Sequence, residues 1–239
     1  TPYQIGWKAL SVSISDIASM GGEPQEALVS LGLPPALTAK FISQLYYGLN
    51  RIAGMFAVDL VGGDIIRSKK LTINVAMTGT VKKGNLLLRS AARPKDAILV
   101  TGKLGEAVFG KHLRFKPRLR EAQFLVNNFK INSMIDISDG LIQDLGHITR
   151  DSRAGAMIYE RDIPVARKRD FRLAIQDGED FELLFTMPKA EARKLLFSYK
   201  KALNIPISMI GEIVHKKGVY LVDKHGKIKR LKPKGWQHF

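Results

Sequence analysis

Short apolar runs of strand length alternate with longer amphipathic runs along this whole chain, and that alternation is what most limits its fold. Residues 4 to 20, "QIGWKALSVSISDIASM", carry the apolar spacing of a helix and stop at Gly21 and Gly22, the residue type that ends helices in the left-handed conformation. "EALVSLGLP" then reads as a strand, Pro35 to Ala53 as a second helix, "MFAVDLV" as an apolar run closed by a "GGD" turn, and "KLTINVAMTGTV" as another strand. The polar, proline-containing "RSAARPKD", Arg89 to Asp96, predicts a domain junction that divides the chain into residues 1–90 and 91–239. Beyond it, "AILVTG", "SMIDIS" and "FELLFTM" read as strands. "LGEAVFGKHL", the segment from Pro117 to about Phe129, "GLIQDLGHITRDS" and "KAEARKLLFSYKKAL" read as helices, with short strands after the last. The pattern predicts an α/β (α+β) fold with two layers in each domain and no internal repeat.

The 239 residues are enough to bury a core, and no apolar run approaches the length of a membrane span. The opening "TPYQIGWKAL" lacks the layout of a signal peptide, and with no cysteine there are neither disulfides nor thiolate metal sites, so a cytoplasmic location is the default expectation. Lys and Arg outnumber Asp and Glu 38 to 22, a net +16 that attracts polyanions, nucleotides or anionic surfaces without choosing among them. The densest basic runs, "KHLRFKPRLR" and the tail "KHGKIKRLKPKGWQHF", carry no aromatic ladder, helix-turn-helix or zinc pattern. Each reads as a solvated basic face, and neither nucleic acid nor a membrane is an expected partner.

Chemistry concentrates in "MIDISDGLIQDLGHI", which sets Asp136, Ser138 and Asp139 between a strand and a helix. Ser138 or Asp139 can cap the helix that opens near Gly140. Asp136, at the end of an apolar strand, needs a cationic partner if it is ionised. Two carboxylates and a hydroxyl beside a helix N-terminus suit Mg²⁺ carrying a nucleotide. Asp16 falls in the last turn of its helix, where an acid is mildly unfavourable; it is either a surface carboxylate, solvated or paired with Lys8, or the ligand of a cation. Asp64, in "LVGGDIIRS" with Arg67 close by, is either a turn residue or a ligand contact. "QDGEDFELLF" crowds Asp177, Glu179, Asp180 and Glu182 before a strand, tolerable if solvated or if a cation binds. The five histidines show no metal spacing or triad layout.

Taken together, "WKALSVSISDIASMGGEP", "LVGGDIIRS", "LLLRSAARPKD", "HLRFKPRL", "IDISDGLIQDLGHI", "DGEDFELLFTMP" and the terminal "KGWQHF" resemble the thiamine-monophosphate kinase family, within the superfamily of aminoimidazole-ribonucleotide synthetase and selenophosphate synthetase. The resemblance implies an ATP- and Mg²⁺-dependent phosphotransferase that converts thiamine monophosphate to thiamine diphosphate. It implies a two-domain fold like that of aminoimidazole-ribonucleotide synthetase, with the N-terminal domain closing a barrel across a homodimer and a C-terminal α/β domain. By matched position, Asp16, Asp64, Asp136 and Asp139 would hold Mg²⁺, Gly63, Asp64, Arg89 and Ser138 would contact ATP, and Glu179 and Trp236 would bind the thiamine moiety. Alternatives are a ligase or synthetase of the same superfamily, and an inactive nucleotide-binding fragment. Three departures stand out. The family's N-terminal segment, with its G-D-D-A strand and T-D-x-L-x-x-x-x-H-F run, is absent from a chain that opens on Thr1; Ile65 follows the "GGD"; and Asp177 replaces the usual glycine before "GED". The expectation for the chain as given is weak binding of Mg-ATP and little phosphoryl transfer.

Overall fold

The computed structural model of the chain describes residues 1–166 and 171–232. Helix α1 (Pro2–Ser19) opens with a reciprocal cap: the Thr1 side chain accepts from the Gln4 backbone N–H, and the Gln4 side chain accepts from the Thr1 amine. Pro2 sits in the first turn, where its missing N–H costs nothing. Helix α2 (Ala39–Phe56) is capped by Thr38, which accepts from the Phe41 N–H, so it starts four residues later than the sequence pattern predicts and runs three further. The two helices meet backbone to backbone. A Cβ on Gly6 would lie 2.0 Å from the Leu45 carbonyl oxygen, and one on Gly48 would lie 2.0 Å from that of Tyr3.

Beneath them lies a sheet of three strands, β1 (Glu23–Leu33), β2 (Asp59–Arg67) and β3 (Thr72–Thr80), in the order β2-β1-β3, with β1 parallel to β2 and antiparallel to β3. Alternation along β1 points Ala27, Val29 and Leu31 at Leu45, Leu49 and Ile52, while Leu28 points away and is exposed. The "GGD" run is not a turn. It lies inside β2, because the Gly63 backbone packs on Val29 so closely that a Cβ would stand 1.8 Å from the Val29 oxygen. Edge strand β2 leaves Val61, Ile65 and Ile66 exposed.

The second sheet is built from β4 (Asp96–Thr101), β5 (Ser133–Asp136), β6 (Gly155–Tyr159), β7 (Leu183–Pro188), β8 (Ile207–Val214), β9 (Gly218–Val222) and β10 (Ile228–Leu231), ordered β10-β9-β6-β8-β4-β7-β5. Every neighbouring pair is antiparallel except β6 with β9. Helices cover both faces, so this half has three layers, not the two expected. Helices α4 (Leu141–Asp151) and α5 (Phe171–Gln176) pack on one side with Ile98, Val100 and Leu184. Helices α3 (Leu119–Asn128) and α6 (Lys189–Ser198) pack on the other with Leu99, Phe185 and Met187. Burial on both faces is why β4 and β7 read as unbroken apolar runs. "LGEAVFGKHL" is not one helix but two 3₁₀ turns, Ala107–Phe109 and Lys111–Leu113, parted by Gly110 at φ 92°. β6 and α5 escape the sequence reading. Among the described residues no helix is long and apolar enough to cross a membrane.

Helix α1 belongs to both halves. Ala18 packs in the core around α3, the Trp7 indole N–H donates to the Phe115 carbonyl at 2.8 Å, and the Gln123 amide donates to the carbonyls of Gly21 and Gly22.

Gly48→Ala forces apart two backbones and is expected to destabilise the fold by about 2 kcal/mol, whereas Gly54→Ala, in the same helix with open space around it, is expected to stabilise by about 0.5–1 kcal/mol. Thermal midpoints of the two variants, measured side by side, check the helix contact.

Candidate active site

A cleft of about 400 Å³ opens between the C-terminal half of α1 and the turn from β5 into α4. Asp16 and Ser19 form one wall, Asp136, Ser138, Asp139, Asp144 and His147 the other, and Arg89 from the connection after β3 closes the rim. Asp136 ends β5 at only 3% exposure, and its Oδ2 accepts a hydrogen bond from the Ser15 hydroxyl at 2.6 Å. Burial pushes its pKa up to about 6; the Ser15 hydrogen bond works against that, and the negative charges of Asp16 and Asp139 add to it. Asp16 reaches solvent, yet the protein packed around its carboxyl raises its pKa by desolvation. Of the alternatives read from sequence, the pairing with Lys8 does not form: the Lys8 ammonium is ion-paired with Glu179.

Neither Ser138 nor Asp139 caps α4 with its side chain. The cap comes from within the helix: the Asp144 carboxylate reaches back to accept from the N–H groups of Asp139 (3.0 Å) and Gly140 (3.1 Å). Burial pushes the Asp144 pKa up to about 8 against those two donors, helped by the charges of Asp139 and Asp136. His147, one turn further along α4, stands with its Nε2 3.9 Å from Asp139 Oδ2. Burial, followed by the nearby charges of Arg150 and Arg89, lowers its pKa, so it is neutral at physiological pH and does not offset the acids. One ligand atom from each of Asp139, Asp144 and His147 lies within 4.8 Å of the others, a grouping missed by a reading that found no metal spacing around any histidine. The signal was the three-residue step from Asp144 to His147, which puts both on one helix face.

The "GEDFEL" loop docks on the same turn. The Glu179 N–H donates to the Ser138 carbonyl at 2.8 Å and the Phe181 N–H to that of Ile137 at 2.9 Å; a Cβ on Gly178 would lie 2.4 Å from the Ser138 oxygen. Glu179 and Phe181 adopt φ of 67° and 49°, a conformation side chains resist and here held by those bonds. Among the crowded acids, Glu182 is neither solvated nor waiting for a cation, whereas the half-exposed Glu179 is ion-paired with Lys8. Glu182 is buried, and although burial raises its pKa, a bidentate hydrogen bond from Arg118 (2.7 and 2.6 Å) and the Lys111 ammonium at 2.8 Å bring it below the ordinary value. Lys111 and Arg118 come from the run read as a solvated basic face, which therefore turns part of its charge inward. Asp180 accepts from the N–H groups of Gly105 and Glu106, and burial pushes it up to about 6.

Of the residues named from sequence, Asp16, Arg89, Asp136, Ser138 and Asp139 share this cleft, and Glu179 sits beside it through Lys8 and Ser138. Gly63 and Asp64 do not join them. Asp64 pairs with Ser30 in mid-sheet, seven residues along β1 from Glu23, whereas Ile17, the neighbour of Asp16, packs under Gly22 and Gly79 at the other end. That is about 23 Å of strand, so within this chain three of the four expected metal ligands converge. Trp236 lies outside the described residues.

Comparison with known proteins gives concordant matches. The N-terminal domain of AIR synthase related protein matches residues 1–81 and the C-terminal domain residues 81–224. A thiamine-monophosphate kinase of Bacillus subtilis (strain 168) is 34% identical, with all of this chain and 82% of the relative aligned. That of Pyrococcus horikoshii is 33% identical over all of this chain and 80% of its own length. Among solved structures, the thiamine-monophosphate kinase of Stenotrophomonas maltophilia K279a superposes with a TM-score of 0.84 at 30% identity, covering 92% of this chain and 78% of that one. AaThiL complexed with AMPPCP and TMP superposes with a TM-score of 0.85 at 30% identity, covering 100% and 81%. The hydrogenase maturation protein HypE of E. coli, at 20% identity and a TM-score of 0.83, shares the fold.

Asp144 sets a measurable pH dependence. Its folded pKa of about 8 lies above the ordinary 3.8, so its contribution to stability is fully present below pH 4 and is lost as pH rises through 8. Asp144→Asn, which keeps an acceptor for the two backbone donors, is expected to lie closest to the parent near pH 4 and to exceed it by a margin that widens up to pH 8 in thermal midpoint; parallel curves for the two proteins would contradict this.

Proposed function

This chain belongs to the thiamine-monophosphate kinases of the AIR synthase related family, and from that membership and its cleft we propose that it transfers the γ-phosphoryl group of ATP to the phosphate of thiamine monophosphate. The observation that carries the proposal is the convergence of Asp16, Asp136 and Asp139 beside Ser138 and Arg89 in one cleft. A terminal phosphate oxygen of thiamine monophosphate attacks the γ-phosphorus, the bond from that phosphorus to the β,γ-bridging oxygen breaks, and ADP leaves with the electron pair. The attacking phosphate is already largely ionised at neutral pH, so no strong base is required. What the reaction does require is alignment of two polyanions and relief of their charge.

The donor set fits Mg²⁺: hard carboxylate oxygens, two of them on carboxyls whose pKa values burial drives up, which is the signature of negative charge awaiting compensation. Bound there, Mg²⁺ would supply positive charge against that of the phosphates. Asp16, Asp136 and Asp139 would hold it from opposite walls, and the Ser15 hydroxyl holds one oxygen of the Asp136 carboxylate by a hydrogen bond. Ser138 and Arg89 receive the nucleotide phosphates. Glu179, held on its strained turn, presents a carboxylate to the cationic thiamine rings, with Lys8 as its partner until they arrive. Trp236 covers the rings by stacking.

The reading includes a homodimer. Gly63 and Asp64 sit on an edge strand with exposed Val61, Ile65 and Ile66, far from the cleft of their own protomer, and a second copy on this sheet lets them reach a nucleotide held by its partner. It also includes the division at residues 1–90 and 91–239 and a cytoplasmic location.

Asp136→Asn removes the central carboxylate and is expected to weaken Mg-ATP binding at least tenfold in calorimetry and to abolish thiamine diphosphate formation. Equal affinity for parent and variant would end the metal-ligand assignment. Ile66→Lys places a charge on the bare sheet and is expected to shift the sedimentation coefficient from dimer to monomer; a parent that already sediments as a monomer would remove the dimer from the proposal.

A further inference from the structure

A second cavity lies apart from the acid cleft. About 670 Å³ opens between the exposed side of α4 and the strands β9 and β10, a size suited to a small molecule. Its charge is the reverse of the cleft's: Arg150, Arg153, Lys217, Arg230 and Lys232 line it, and among the described residues no acid does. Arg150 is paired with Asp151, but the other four cations have no ion pair among the described residues.

Two further observations point to a ligand. The Gln143 Oε1, on the wall formed by α4, is buried and is the one such side-chain atom without a hydrogen-bond partner among the described residues. Buried acceptors are satisfied in nearly all folded proteins, so this amide, on a residue that lines the cavity, lacks a donor that a ligand against the α4 wall could supply once the side chain turns outward. Arg153 occupies the position just past α4 where the chain turns left-handed, at φ 55°, with its N–H bonded to the Arg150 carbonyl and that of Ala154 to Thr149. Glycine is the residue that position favours. An arginine there strains the backbone and delivers an unpaired guanidinium to the cavity.

We propose that this cavity binds a phosphorylated small molecule bearing a hydroxyl or amino donor, with the phosphate held by Arg153 and Arg230 and the donor satisfying Gln143. Arginine pairs with phosphate oxygens in bidentate fashion, and the Arg230 guanidinium lies beside Gly218, where a Cβ would come 3.1 Å from its Nε. The site is separate from the acid cleft, touching it only at His147, and does not depend on the proposed kinase reaction.

Calorimetry with the full chain in EDTA uses pyrophosphate, ribose 5-phosphate and AMP as probes. Without divalent cation the acid cleft repels all three. The parent is expected to bind pyrophosphate at sub-millimolar concentration. Arg153→Gly and Arg230→Gln should each raise the dissociation constant tenfold or more, the former with an unchanged or higher thermal midpoint because glycine relieves the left-handed turn. Gln143→Leu should leave pyrophosphate unaffected and weaken ribose 5-phosphate or AMP, whichever fits, at least threefold. Absence of pyrophosphate binding to the parent, or parent-like affinity in both arginine variants, overturns the proposal. Tighter binding of a single-stranded RNA oligonucleotide than of any of the three probes would overturn the small-molecule reading.

Discussion

The hydrogen bond from Ser15 to Asp136 is the point on which the architecture turns. It joins a helix of the small sheet unit to a strand end of the large one across 121 residues of sequence, in a buried place where either group alone would be costly. Because α1 also anchors through Trp7 and Gln123, its direction is fixed relative to the large sheet, and Lys8 and Asp16 are carried to the mouth of the cleft as a consequence. The site is therefore a property of the junction between the two units and of neither one alone.

The cleft is built to be incompletely neutralised. Glu182 shows how the same protein treats a carboxylate that serves the fold: two cations and a hydroxyl surround it, and its pKa falls. Asp136 and Asp144 receive only neutral donors and remain hard to ionise. The contrast between Glu182 and Asp136, about equally hidden, shows that burial alone does not tell a carboxylate neutralised within the fold from one left uncompensated.

Much of this was legible from sequence where the signal was local. α1 and its glycine stop, the end of β5 and the helix after it all follow from periodicity and punctuation, and the cluster Asp136, Ser138 and Asp139 stood out because its neighbours are apolar. What failed was non-local. The "GGD" run looked like a turn because glycine is common in turns; the close approach of Val29, which makes glycine necessary in a strand, lies over thirty residues away. The pairing of Glu182 with Arg118 joins two runs 64 residues apart, each of which looks solvated when read alone. The three-layer packing was hidden because α5 is one short helix, and the cap of α4 because its acceptor lies inside the helix.

The seam on α1 that faces the large unit has a consequence for synthesis. Ser15 emerges 121 residues before its partner, which at ordinary translation speeds is roughly 6 to 24 s. A leucine there would expose an apolar stripe for that whole interval. Serine instead stays hydrated, and its neighbours Ser11 and Ser19 turn their hydroxyls onto the helix's own carbonyls of Trp7 and Asp16. The nascent chain thus carries a docking face that is wettable while it waits and becomes adhesive only when a buried carboxylate arrives to claim it.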